Sequence, residues 1–120
     1  MLQIKNYAIS SDWLPMVGSQ AQGMSLVKDN NFAADMLKFD PHEKTSLHTH
    51  PGNHILFIVQ GYGSLLFDGN TYNLTIGTCY FVPGNISHQV IADDDGLFLL
   101  SISDNHKTVD SPERLEVLSA

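Results

Sequence analysis

One stretch of sequence decides how this chain folds: HTHPGNHILFIVQG, residues His48–Gly61. Residues i and i+2 of an extended strand point to the same face, about 6.5–7 Å apart, so His48 and His50 can turn both imidazoles toward one point. A histidine nitrogen binds a divalent ion at about 2.0–2.1 Å, and two such neighbours can share one ion. The stretch therefore predicts a metal site. The alternative is three solvated histidines in a turn.

A second stretch, GTCYFVPGNISH at Gly77–His88, also combines turn residues with a short apolar run and a histidine. A glycine turn opens a short strand rich in β-branched and aromatic residues, a Pro-Gly-Asn turn closes it, and His88 begins the next extended run. Pro51-Gly52-Asn53 predicts a matching turn in the first stretch, with a strand beginning at His54.

Together the two stretches resemble the paired motifs of the cupin superfamily over about residues 31–103. The first motif has two histidines one residue apart, a glutamate four residues later and a glycine seven beyond it. The second has a glycine, a proline and a histidine at fixed spacing. The matching positions here are His48, His50, position 54, Gly61, Gly77, Pro83 and His88. The resemblance implies an all-β fold, the double-stranded β-helix or jelly-roll barrel, as a single domain over residues 1–120.

Two positions depart from the family pattern. His54 stands where the usual glutamate ligand would be, and Asn85 replaces a glycine, which is mild because asparagine tolerates the same turn conformations. The sequence is similar to the four-histidine variant of small single-domain cupins. That resemblance implies four metal ligands, His48, His50, His54 and His88.

The ligand type limits the choice of ion. Four imidazoles suit zinc, copper, iron or nickel, whereas magnesium and calcium require oxygen ligands. The resemblance favours manganese despite its weaker preference for nitrogen, so manganese and iron are expected first. Neutral histidines leave the full +2 charge on the ion, which favours binding of an anion or a chelating enolate.

Composition narrows the class of partner. The chain has 120 residues, 42% of them hydrophobic, with 6 Lys and Arg against 13 Asp and Glu, a net charge of −7. No basic run is present, so neither nucleic acid nor an anionic membrane is an expected partner. The start lacks the pattern of a signal peptide, and the cytoplasm is the default location. Cys79, the lone cysteine, is expected to be a small buried hydrophobe.

From residue 54 onward, turn signals recur about every eight to ten residues, which indicates an antiparallel sandwich or barrel. Phe32–Phe39 is expected to be a strand, and Asp68-Gly69 predicts a hairpin. Asp110–Arg114 has a cap residue, a proline at the first helical position and an early glutamate, so a short C-terminal helix is expected. His42 and His106 are expected to be solvated.

The pocket is expected to take the inward residues of its strands. Leu56 and Ile58 continue the face of His54. For Thr78–Val82 the side that faces inward stays open, so both Tyr80 and Phe81 are candidate pocket residues.

Three functions are compatible with this site. The favoured one is a metal-dependent enzyme that acts on a small organic anion or enolate by oxidative, dioxygenase-like chemistry. The alternatives are a non-redox isomerase, lyase or decarboxylase, and a non-catalytic module that binds or senses a small ligand. A homodimer is expected, because exposed sheet edges need cover and residues 1–23 could exchange with a partner chain.

Overall fold

The structure, a computed structural model, describes residues 1–119. Within that part of the chain, a 3-10 helix at Tyr7–Ile9 is accompanied only by β-strands, which confirms the all-β prediction. The strands are β1 (Leu14–Pro15), β2 (Gln22–Lys28), β3 (Phe32–Phe39), β4 (Leu47–Thr49), β5 (His54–Phe67), β6 (Asn70–Leu74), β7 (Cys79–Val82), β8 (His88–Asp104) and β9 (Glu116–Ser119). None of the helical structure described is long and apolar enough to span a membrane.

All strand pairs are antiparallel and form one curled sheet. The order is β1-β2-β3-β8-β4-β9, and β5 pairs with β6, β7 and β8. The two long strands, β5 and β8, bend together, and their register shifts on either side of Gly61. Gly61 has a φ of +87°, and a Cβ there would collide with the carbonyl oxygen of Gly96. Glycine is needed at this point because the two backbones approach too closely for a side chain.

The inward faces of the curled sheet enclose the hydrophobic core. Along β5, Leu56 and Ile58 are buried whereas their neighbours Ile55 and Phe57 are exposed, the alternation expected of a strand with one face on the core. Strands β3, β6, β7 and β8 contribute buried side chains to the same cluster, among them Phe39, Leu74, Val82, Leu97 and Leu99.

Three local predictions are confirmed. The strand expected at Phe32–Phe39 is β3 with the same bounds. Asp68 and Gly69 have φ angles of 49° and 81° and form the two-residue hairpin between β5 and β6, where twisted strands require two positive φ values. Asn85 has a φ of 63° and so adopts the turn conformation for which the family uses glycine.

The predicted short C-terminal helix is wrong. Residues 108–114 form turns, closed by hydrogen bonds from Ser111 N to Thr108 O and from Arg114 N to Ser111 O. The chain then continues as β9, which pairs antiparallel with β4. The helix signals were local, and the open edge of β4 outweighs them because it offers the backbone a full set of partners.

Residues 1–23 lie along the sheet of their own chain. Gln3 and the Lys28 backbone exchange two hydrogen bonds, of 2.6 and 2.9 Å. The Tyr7 and Trp13 rings pack on Phe98, with ring centroids 5.9 and 6.2 Å apart. The segment thus covers the outer face of β8. Its exchange with a second chain stays a prediction.

Candidate metal centre

Adjacent strands bring the two sequence motifs together. His48 on β4 and His88 at the start of β8 are direct antiparallel partners, and each is only 4% exposed. His50 follows β4 by one residue, and its ring centroid lies 4.6 Å from that of His88. The candidate ligand atoms of these three histidines all lie within 4.8 Å of one another. A metal-binding cluster is therefore geometrically available at this point.

A hydrogen bond from Nδ1 to a backbone carbonyl oxygen orients each of the three rings. Nδ1 of His48 lies 2.6 Å from the carbonyl oxygen of Ser46. The corresponding distance is 2.9 Å from His50 to Gly52 O and 2.9 Å from His88 to Ile86 O. A carbonyl oxygen can only accept, so each Nδ1 carries the proton and donates it. In each neutral ring the lone pair is then left on Nε2, the arrangement that metal-binding histidines commonly use.

The arrangement of the Nε2 atoms tests whether a metal ion fits. Nε2 of His50 and Nε2 of His88 are 3.0 Å apart. Because both Nδ1 atoms are protonated, this contact sets two lone pairs against each other, and neither atom has a proton to donate. Two nitrogen ligands about 2.1 Å from one ion and at right angles would be separated by about 3.0 Å. The donor set therefore fits a transition-metal ion.

His54 lies beside this cluster. Its ring centroid is 4.1 Å from that of His50 and 6.4 Å from that of His88. Its Nδ1 is 3.0 Å from the hydroxyl oxygen of Ser101, on the neighbouring strand β8. The structure thus places all four predicted histidines in one region, but the compact group of ligand atoms contains three of them.

Burial keeps the four histidines neutral. Removal from water is the main cause that lowers the pKa of His48 to about 3, of His50 to about 4 and of His54 to about 2. Burial also lowers the pKa of His88. Repulsion among the rings adds to the effect in the first three. The imidazoles are therefore ready to bind a cation at neutral pH without first losing protons.

A cavity opens beside the histidines. All four histidines line it, together with apolar side chains that include Leu56, Val82 and Leu99. Leu56 thus lies where the sequence predicts. Ile58 faces inward as expected, but it is 0% exposed within the hydrophobic core and does not line this cavity. The cavity lining combines apolar and polar side chains, which suits a small ligand with a charged end.

The inward side of β7, left open by the sequence, is that of Tyr80 and Val82. Val82 is buried and Tyr80 packs on the core, but the Tyr80 hydroxyl donates to Asn73 O at 2.6 Å and so is not directed at the histidines. The prediction that Phe81 lines the pocket is wrong, because strand alternation turns its side chain outward and it is 65% exposed. Cys79 shares that outward face and is exposed, contrary to the expected burial.

A polar cluster at the cavity was not predicted from the sequence. His106, expected to be solvated, is a half-buried residue whose Nε2 lies 2.9 Å from Oδ2 of Asp35. Arg114 Nη1 lies 3.0 Å from the same oxygen. One signal could have found the cluster, because Asp35 is a lone charge at an inward position of the apolar strand β3.

A family profile described as Cupin domain matches residues 35–102, more than half of the chain and both histidine motifs. This chain belongs to the cupin family. No curated protein matches the sequence.

Solved structures agree with this cupin in fold. KdgF from Halomonas sp. has 19% identity and a TM-score of 0.76, covering 89% of this chain and 96% of that one. The polyketide cyclase RemF from Streptomyces resistomycificus has 15% identity and a TM-score of 0.82, covering 100% and 87%. An RmlC-like cupin from Shewanella frigidimarina has 20% identity and a TM-score of 0.73, covering 89% and 96%. The predicted cupin jelly-roll barrel is therefore confirmed.

Proposed function

We propose that this cupin holds a divalent transition metal on His48, His50 and His88. The observation that carries the proposal is the repeated Nδ1-to-carbonyl hydrogen bond, which leaves the Nε2 lone pairs of three clustered, buried histidines free. Manganese and iron are favoured, and zinc, nickel and copper are the alternatives that imidazole accepts.

His54 is proposed as the fourth ligand. Ser101 Oγ can accept a hydrogen bond from His54 Nδ1, which would leave the Nε2 lone pair of His54 free. The other three histidines are oriented by the same kind of Nδ1 hydrogen bond, with a backbone carbonyl in place of the hydroxyl. The ring of His54 already adjoins that of His50 and lines the same cavity.

The proposed activity is that of an enzyme acting on a small organic anion or enolate by oxidative, dioxygenase-like chemistry. A redox-active ion such as manganese or iron, when bound, would supply the positive charge that attracts the anion and the one-electron redox chemistry that lets the anion, as the electron donor, react with dioxygen. The chain contributes neutral ligands that leave that charge undiminished. Its apolar cavity wall, with Leu56, Val82 and Leu99, keeps water away from the reacting atoms.

Elemental analysis of protein purified without an affinity tag tests the activity. We expect iron or manganese near one ion per chain, and oxygen uptake when small organic anions are supplied. Zinc as the sole metal would contradict the oxidative proposal, because zinc has no redox chemistry.

A second candidate function is non-redox catalysis by an isomerase, lyase or decarboxylase. The observation that favours it is the presence of Glu113 and His106 in the cavity wall, because such chemistry needs a proton donor or acceptor near the ligand. RemF, a polyketide cyclase, offers a fold-level analogy only. Conversion of a ligand without oxygen uptake would support this candidate, and tight binding without conversion would support a sensing module.

The charge of the proposed site leads to a binding prediction. The metal-loaded protein is expected to bind a small carboxylate such as pyruvate at least about tenfold more tightly than the metal-free protein, because the ion offers a +2 charge that four neutral ligands do not reduce. Isothermal titration calorimetry on both forms measures the difference. Equal affinity of the two forms would contradict the prediction.

Replacement of the unusual ligand gives a further prediction. His54→Glu introduces the carboxylate that the family normally uses, so the site should gain preference for manganese over copper and zinc, and its affinity for pyruvate should fall as the net charge drops to about +1. Metal competition followed by elemental analysis measures the shift, with His54→Gln as the uncharged control. Unchanged metal preference and anion affinity in His54→Glu would show that His54 is not a ligand.

A further inference from the structure

Arg114 is the single arginine of a chain with net charge −7, and it is placed inside the cavity. Its side chain is 8% exposed. It lines the same cavity as His48, His50, His54 and His88. A permanent cation that faces neutral metal ligands opposes cation binding, so its position needs a reason other than stability of the metal site.

Asp35 fixes the position of this guanidinium. Asp35 is 1% exposed, its Oδ2 accepts from Arg114 Nη1 and contacts His106 Nε2, and its Oδ1 has no hydrogen-bond partner among the described residues. A buried ion pair adds little net stability, and an orphan oxygen makes it costly. What the arrangement achieves is an arginine held in one orientation.

The orientation leaves one edge of the guanidinium available. Both hydrogens of Nη1 are engaged, one with Asp35 Oδ2 at 3.0 Å and one with Lys107 O at 2.7 Å. In the part of the chain that the structure describes, the Nε and Nη2 atoms of Arg114 make no hydrogen bond. These two atoms form the parallel N–H fork that binds a carboxylate in bidentate fashion.

Other charges at the cavity do not compete for this role. The carboxylate of Asp104 is occupied by Asn53, through contacts of 2.7 and 3.0 Å. Glu113 and Lys107 are exposed, where water and salt screen their charges. Arg114 is therefore the positive group that an anion would meet after it leaves water.

From this geometry we infer that Arg114 anchors the carboxylate of the ligand, with Asp35 as the residue that positions it. The inference rests on the proposed function for the other end of the ligand, an oxygen that reaches the histidine cluster. The ligand class is thus a small carboxylate with a second oxygen function, such as a keto, hydroxy or enol group. The apolar side chains of the same cavity, including Leu56 and Leu99, accommodate a short hydrocarbon portion.

Binding of pyruvate to the metal-loaded protein tests the anchor. Arg114→Lys keeps the positive charge beside Asp35 but loses the bidentate fork, so we expect affinity for pyruvate to fall about tenfold to 100-fold while metal content stays unchanged. Lys44→Gln is the control for the effect of net charge, since it removes one positive charge from an exposed residue outside the cavity. Wild-type affinity in Arg114→Lys would overturn the inference, as would an equal loss in Lys44→Gln.

A second measurement uses the unaltered chain and separates the anchor from the metal. The metal-free protein should bind pyruvate, a carboxylate, at least about tenfold more tightly than pyruvamide, its neutral analogue, because Arg114 is present without the ion. If elemental analysis finds no metal, the proposed function fails and this preference still decides the role of Arg114. Equal binding of the two compounds, or a preference for inorganic phosphate over pyruvate, would overturn the carboxylate assignment.

Discussion

His88→Ala is expected to weaken metal binding by more than about 100-fold. Loss of a residue that merely supports a metal ligand typically costs about 10- to 100-fold in metal affinity, and loss of a ligand should exceed that. His88 is the one histidine that β8 contributes, and it faces both His48 on β4 and His50 beyond it. Without it, the ion would keep only His48, His50 and the proposed ligand His54, all from one short segment of the chain. Competition with a chelating dye measures the affinity.

His42→Asn is the matched control for this variant. His42 is an exposed histidine paired with Asp94, it lies outside the cluster, and its φ of 65° is one that asparagine tolerates. The control should bind metal like the wild type. Full metal occupancy in His88→Ala under the same chelator would contradict the proposed site.

The parts of the fold and site that sequence predicts are those governed by local chemistry. Asp68-Gly69 specifies its hairpin because only a few residues accept two positive φ angles in succession. The spacing of His48 and His50 specifies a shared side through strand alternation. Proximity of His88 to them required more than local rules, and it came from the resemblance to a family whose barrel pairs these strands, as β4 and β8 do here.

What sequence did not predict depends on partners far along the chain. Arg114 sits in turns rather than a helix because β4 offers an edge to β9 and Asp35 offers a buried carboxylate 79 residues away. His106 was expected to be solvated for the same reason, because its partner Asp35 is distant in sequence and no neighbouring residue indicates the contact. The ring of His54 is set by Ser101, 47 residues away, so its spacing predicts its place but not its hydrogen bond.

Acid is expected to destabilise the metal-free protein strongly. The folded state lowers the pKa of His48, His50 and His54 from 6.5 to between about 2 and about 4, so protons bind the unfolded chain in preference. Their contribution to stability is therefore present above pH 6.5 and is lost as the pH falls toward the folded values. At pH 5.5 each of the three histidines lowers the free energy of unfolding by about 1.4 kcal/mol relative to neutral pH, and together they lower it by about 4 kcal/mol. That loss is a large part of the total stability of a small domain.

Urea denaturation with a chelator present, at pH 7.5 and pH 5.5, measures the loss. This range avoids most carboxylate titration, so histidines dominate the difference. His54→Gln removes one of the histidines whose pKa is lowered in the folded state. It should therefore reduce the loss of unfolding free energy by about 1.4 kcal/mol, whereas His42→Asn should leave that loss unchanged. The same unfolding free energy at both pH values would mean that the four imidazoles are not withdrawn from water in the folded protein, and the argument for neutral, metal-ready ligands would fail with it.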